Sequence, residues 1–240
     1  VPQALHKTLT NLTDAVRTYF DEDTASFLSA TKVTRLINEA KDRVASEVRA
    51  LKDDYLTITR GSGDGSLTIL TDTYAATGMR IVSGSTTTLT LPPDFLEMKL
   101  IEITTADYEH VVLVYRDLSH PDMRAAMQIT TDVAPSVIYF DITGERTLRW
   151  APRVDTTLDT KMTYVQIFGD LSAGSDELTM PWPLYLAVIH YATASAMLIE
   201  GNPNSEAHEA RARQVIADVF GANARQTQDI EVATGFGGFA

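Results

Sequence analysis

The residues whose types could carry chemistry are the histidines, Ser195, a glycine repeat, an acidic triplet and a set of late arginines. His6, His110, His120, His190 and His208 are scattered, and no two stand at i and i+4 as a helical zinc-binding pair requires. They are expected as surface or satisfied core residues, because a site needs convergent groups. Gly61-x-Gly63-x-Gly65 lacks the lysine of a phosphate loop and the following helix whose N-terminus would bind an anion, so a hairpin connection is expected there. Ser195 lies in Ala194-Ser195-Ala196, inside a helical pattern, rather than on the glycine-flanked elbow of a hydrolase. Asp21-Glu22-Asp23 lacks the spacing that builds an oxygen cage for calcium and reads as a solvated helix end. Nothing singles out a carboxylate pair for glycoside hydrolysis. The chain is therefore expected not to be an enzyme and to carry no cofactor or metal.

Arg211 and Arg213, with Arg225 further on, make the last helical stretch locally basic. Two readings stand side by side. One is a solvated face whose arginines pair with Glu206 and Glu209; the other is a strip that contacts an acidic neighbouring subunit.

The elements that must position these residues follow from hydrophobic periodicity. Leu5, Leu9, Leu12, Val16 and Tyr19 or Phe20 share one helix face over residues 5–20. Over residues 31–52 the stripe is Val33, Leu36, Ile37, Ala40, Val44, Val48 and Leu51, with Ser29 or Thr31 as cap. From Tyr55 the period falls to two. Strands are expected at residues 55–60, 66–70, 79–83, 86–91, 99–104, 110–115, 136–142, 146–150 and 161–168, with turns at 61–65 and 142–145. One or two helical turns are expected between Asp117 and Gln128, capped by Ser119 or Asp117, with Met123, Ala126 and Met127 facing inward. Pro183 and Gly201 bracket a helix over 184–200 that is apolar on most of its circumference, hence buried. A last helix runs to about Phe220, and residues 221–240 lack periodicity, so an extended arm is expected.

The fold class implied is α+β: a helical bundle formed by N- and C-terminal helices, with a large antiparallel β insertion between them. The expected divisions are residues 1–54 and 171–220 for the bundle, 55–170 for the β-rich insertion, and 221–240 for the arm.

Composition adds exclusions. The chain has 240 residues, 44% of them hydrophobic, enough for a self-sufficient core. With no cysteine there is no disulfide, thiolate site or cysteine nucleophile. Twenty Lys and Arg against 32 Asp and Glu give a net charge of −12, the wrong sign for non-specific DNA binding. Val1-Pro2-Gln3-Ala4-Leu5-His6-Lys7 does not read as a signal peptide, and the apolar stretch at 184–199 falls short of the about 20 residues that cross a bilayer. No membrane partner is expected.

Several stretches, in order, resemble the head-to-tail adaptor (connector) proteins of tailed bacteriophages. They are Leu36-Ile37-Asn38-Glu39-Ala40 in the second helix, Leu91-Pro92-Pro93-Asp94-Phe95 closing a strand, Leu148-Arg149-Trp150-Ala151-Pro152, and Tyr164 leading through Leu171-Ser172-Ala173 to Met180-Pro181. Ile189-His190-Tyr191-Ala192 and the final Ala-rich helix complete the pattern.

The resemblance implies a structural virion protein of the neck and tail, assembled in the host cytoplasm. Its implied partners are further copies of itself in a ring of about twelve, a closed head-to-tail arrangement, the portal protein, a tail or nozzle protein, and tail fibres. The bundle would face portal and neighbours and the β region the tail. Genome DNA would pass through the ring, whose acidic wall would repel phosphate so that DNA slides without specific binding. The implied interface residues are Arg211, Arg213, Arg225, Phe236 and Phe239, the two phenylalanines as anchors on the arm or else part of a disordered terminus. The competing expectations are another virion ring component, such as a tail terminator or completion protein, and a β-rich carbohydrate-binding or hydrolytic module. The last would need exposed aromatic platforms, whereas Tyr108, Tyr115, Tyr139, Trp150 and Tyr164 mostly alternate into core positions.

Overall fold

The computed structural model describes residues 8–21, 27–62, 66–69, 72–75, 79–84, 87–144 and 146–234, with side chains described except at 53, 66–69, 72–75 and 222–234. The chain forms two compact units, one from residues 1–56 with 170–240 and the other from residues 57–169.

The first unit is helical. Helix α1, Leu9–Phe20, starts where the Thr8 hydroxyl accepts from the Asn11 amide, and it ends at Asp21, whose φ of 61° is left-handed. Leu9, Leu12, Ala15 and Val16 are buried, while the expected Leu5 lies outside the described residues. Helix α2, Ala30–Lys52, is capped by the Ser29 hydroxyl, which accepts from the Lys32 amide at 3.3 Å. Its stripe from Val33 to Val48 is buried as the spacing predicts. Leu51 is not: it is 63% exposed, because at that end the neighbouring helix leaves an open groove beside it, lined by Ala50, Ile216 and Ala217.

Helix α4, Leu184–Glu200, keeps the bounds that its flanking proline and glycine dictate, with Gly201 left-handed at φ 76°. It is buried around most of its circumference because α1, α2 and helix α5, Ser205–Thr234, all pack on it. The α5 range corrects the expected extended arm: residues 221–234 are helical. Periodicity detects a buried face, whereas a helix already nucleated propagates through residues such as Ala, Arg, Gln and Glu without one.

The second unit is a pair of sheets. In the first, strand β10, Leu158–Gln166, pairs antiparallel with β1, Thr57–Gly61, with β4, Arg80–Ile81, and with β6, Phe95–Ile103. The second runs β5 (Thr88–Thr90), β9 (Thr147–Ala151), β8 (Val137–Thr143), β7 (Val112–Tyr115). A turn through Gly144, at φ 62°, joins β8 to β9. A two-stranded ribbon, β2 (Ser66–Ile69) with β3 (Asp72–Ala75), pairs separately. Of the connection expected over 61–65, Gly63, Asp64 and Gly65 lie outside the described residues, and on either side of it β1 pairs β10 and β2 pairs β3.

One pairing departs from the antiparallel expectation. β7 and β8 run parallel, joined by a crossover that contains helix α3, Pro121–Met127. His120 caps that helix, its ring nitrogen accepting from the Asp122 amide. The expected caps are engaged just upstream, where Ser119 donates to the Asp117 carboxylate. Met123 and Ala126 face inward, but Met127 is 50% exposed, because so short a helix covers little beyond one turn.

Side chains from both sheets share one core, including Ile81, Leu91, Ile138, Leu148, Met162 and the fully buried Trp150 and Tyr164. Tyr108 and Tyr139 are half-buried, and Tyr115 is 57% exposed at the β7 edge.

Candidate interaction surfaces

In the helical unit, the stretches carrying the resemblance meet. Asn38 Nδ2 donates to the Leu171 carbonyl at 3.0 Å, and the Leu171 amide donates to Asn38 Oδ1 at 2.9 Å. The loop that follows is closed by Asp176, whose carboxylate accepts from the Ser172 and Ala173 amides, each at 2.7 Å. These bonds hold the Asp176 carboxyl below its usual pKa. The same loop docks on the start of α1, where the Leu9 amide donates to the Asp176 carbonyl and the Thr10 hydroxyl to the Gly174 carbonyl. Beside it Lys41, 1% exposed, donates to Asp170 at 2.9 Å and lies 3.2 Å from Asp42.

A polar seam links α2, α4 and α5. Arg43 bonds both Glu47 and Glu209 and lies with its guanidinium 4.0 Å from the centre of the Tyr191 ring. The Tyr191 hydroxyl donates to Glu47 at 2.6 Å, and burial first, then that carboxylate, pushes its pKa up to about 12. Burial acts to lower the Arg43 pKa, and the hydrogen bonds to Glu209 and Glu47 more than reverse it. Arg213 joins the seam by donating to Glu209 at 2.8 Å. The expected pairing with Glu209 is thus present for Arg213. Arg211 is exposed, and the Arg225 side chain, Phe236 and Phe239 lie outside what is described.

Two histidines that lie 18 residues apart on different helices come together. His190 Nδ1 and His208 Nδ1 are 3.2 Å apart, and the Tyr19 ring packs on both. Burial, then His208 and Arg211, brings the His190 pKa down to about 4; burial and Arg211 lower that of His208. Spacing along the chain does not reveal such a pair, because the contact depends on how α4 and α5 cross. Among the described residues no group of three or more His, Cys, Asp or Glu could hold a metal ion, and no helix is long and apolar enough to cross a membrane.

In the β unit, Tyr164 donates to Asp94 at 2.8 Å and accepts from Arg60 at 2.8 Å, while Arg60 bonds the other Asp94 oxygen at 2.9 Å. Burial, then the Asp94 charge, pushes the Tyr164 phenol far above its ordinary pKa, so it remains a donor. Burial works against the Arg60 charge, and the Asp94 carboxylate, with Tyr164, more than compensates. The triad ties β1, β10 and the start of β6.

An apolar groove of about 510 Å³ runs between β6 and β7, lined by Leu96, Met98, Leu100, Leu113, Tyr115 and Ile142 among others. Leu96, Leu100 and Tyr115 are 42%, 49% and 57% exposed, which leaves an apolar cluster open to solvent. The aromatic residues expected to be buried at Trp150 and Tyr164 are buried, which removes them as a carbohydrate platform.

No curated protein matches the chain. A family model described as SU10 adaptor protein matches residues 7–234, nearly the whole length and both units. The chain therefore belongs to the SU10 adaptor protein family, and is a structural adaptor of bacteriophage.

Proposed function

We propose that this adaptor forms an oligomeric ring that joins the portal to the tail and lines the channel through which DNA leaves the head. The observation that carries the reading is the division of the chain into two units with separate cores, because an adaptor must offer two different surfaces to two different partners. The helical unit would face portal and neighbouring copies, and the β unit the tail. Head-to-tail contacts between copies would close into a ring, and about twelve copies is the number that the resemblance to head-to-tail adaptors implies. Its partners would be the portal protein, a tail or nozzle protein, and tail fibres, with assembly in the host cytoplasm and residence in the neck.

Net charge gives DNA passage a physical basis. At −12 per copy, a ring wall repels phosphate, so the genome slides past without being held. Arg211, Arg213, Arg225, Phe236 and Phe239 remain the proposed contacts with portal or neighbour; Arg213 would act from within its pairing with Glu209.

Electron microscopy of the purified protein, alone and mixed with portal rings, tests the reading. Rings seated coaxially on the portal are the expected result. Binding to a tail tube in preference to the portal would favour a tail terminator or completion protein instead.

A further inference from the structure

We infer that His190 and His208 form a two-imidazole site for a divalent transition-metal ion of the zinc class, which clamps α4 to α5. Their Nδ1 atoms lie 3.2 Å apart while the ring centres lie 5.3 Å apart, so each ring turns that nitrogen toward the other. Two basic nitrogens converge on one point between two helices.

The spacing suits an ion as well as a proton. Two imidazole nitrogens bound at about 2.0–2.1 Å to a tetrahedral zinc ion stand about 3.3–3.4 Å from each other. The observed 3.2 Å is within about 0.2 Å of that, so a slight turn of either ring admits the ion. Without metal, one Nδ1–H donates to the other Nδ1. On binding, that ring gives up its Nδ1 proton and takes one at Nε2. Both rings are then neutral, each with its Nδ1 lone pair on the ion and a proton on Nε2, and no net proton is released.

The surroundings hold the pair in place. His190 is 7% exposed, and the Tyr19 ring from α1 packs on His190 and His208 with centres 5.1 and 5.8 Å away. Side chains fixed by packing lose little freedom when an ion joins them. Imidazole nitrogen selects zinc, nickel or copper over magnesium and calcium, which take oxygen ligands. Among the described residues no third His, Cys, Asp or Glu completes the set, so water fills the remaining positions and the site is a chelate of two protein ligands. Arg211 is the charge that acts on both rings, and it opposes a cation. Its side chain is exposed, so solvent screens much of that repulsion.

The probe is zinc alone, added to the chelator-treated full chain at neutral pH. Calorimetry should give one ion per chain, and the thermal midpoint should rise with zinc concentration but not with magnesium. His190→Gln and His208→Gln should each weaken zinc binding by about tenfold or more. His120→Gln should leave it unchanged, although His120 lies 3.6 Å from Asp122 and is the other described histidine beside a carboxylate. Equal zinc binding by the parent and both pair variants, an adventitious ion only, would overturn the site, as would an equal midpoint rise with magnesium. Imidazole nitrogen resonances of the unaltered chain give a reading that needs no substitution. Saturating zinc should leave both rings as Nε2–H tautomers; an Nδ1–H that persists on either ring would overturn the inference.

Discussion

Asn38 and Leu171 are paired as two peptide groups would be, with the side-chain amide donating to the Leu171 carbonyl and accepting from its amide. The pair fastens the returning chain to the middle of α2 at the point where the helical unit resumes after residue 169. Asn38→Ala strands both backbone groups, which costs about 1–3 kcal/mol. At about 2–4 °C per kcal/mol for a chain of this size, the helical melting midpoint should fall by roughly 2–12 °C. Far-ultraviolet circular dichroism measures it. An unchanged midpoint would show that water replaces the side chain without loss.

Tyr164, Asp94 and Arg60 make a closed triangle in the β unit, with Tyr164 fully buried and Asp94 5% exposed. Tyr164→Phe removes one corner and leaves the ion pair, costing about 1–3 kcal/mol. Asp94→Ala leaves Arg60 without its carboxylate, and breaking a buried pair in this way costs about 3–5 kcal/mol. Urea unfolding followed by tryptophan fluorescence from the buried Trp150 reports on this unit. The double variant should cost less than the two single losses added, because both act through one network. Strict additivity would sink the idea of a cooperative triad.

Much of this architecture was legible in the residues, and where it was not the reasons are physical. The order of helices, strands and helices follows from period, and α4 is bounded to the residue because Pro183 and Gly201 punctuate it. Strand direction leaves no mark on alternation, so the parallel β7–β8 pair was not readable. β3, Asp72-Thr73-Tyr74-Ala75, lacks the apolar alternation that marks a half-buried strand. Leu51, Met127 and Tyr115 continue apolar patterns past the point where a neighbour exists to cover them. The resemblance motifs mark places where distant segments bond, Asn38 to Leu171 and Asp94 to Tyr164, and no spacing shows that.

The His190–His208 pair should make the helical unit acid-sensitive. His190 has a folded pKa of about 4, below the 6.5 of the unfolded chain, and His208 is shifted in the same direction. As pH falls below 6.5 the unfolded chain takes up protons that the folded pair refuses. Stability is therefore full above that value and is lost progressively toward pH 4. The lowered carboxyls, Asp176 and Glu209, contribute only as pH falls through their ordinary values of 3.8 and 4.5. The window between about pH 7 and about pH 5 thus isolates the histidines. Denaturant midpoints should drop across it in the parent chain and much less in His190→Gln. Equal drops in both would assign the sensitivity elsewhere.

Removing residues 221–240 separates stability from assembly. The described buried residues of α5, Ala212, Ile216 and Val219, all precede the cut, as does Phe220, which packs on Tyr55 with ring centres 5.4 Å apart. The truncated chain should keep its melting midpoint within roughly 2 °C, a change of no more than about 1 kcal/mol. Under the proposed role the same truncation abolishes co-sedimentation with portal rings, because it deletes Arg225, Phe236 and Phe239. A fall of several degrees would instead make the last turns of α5 part of the bundle. Undiminished portal binding at an unchanged midpoint would move the portal contact to another surface of the helical unit, with the exposed Leu198, Ile199 and Leu51 as the next residues to substitute.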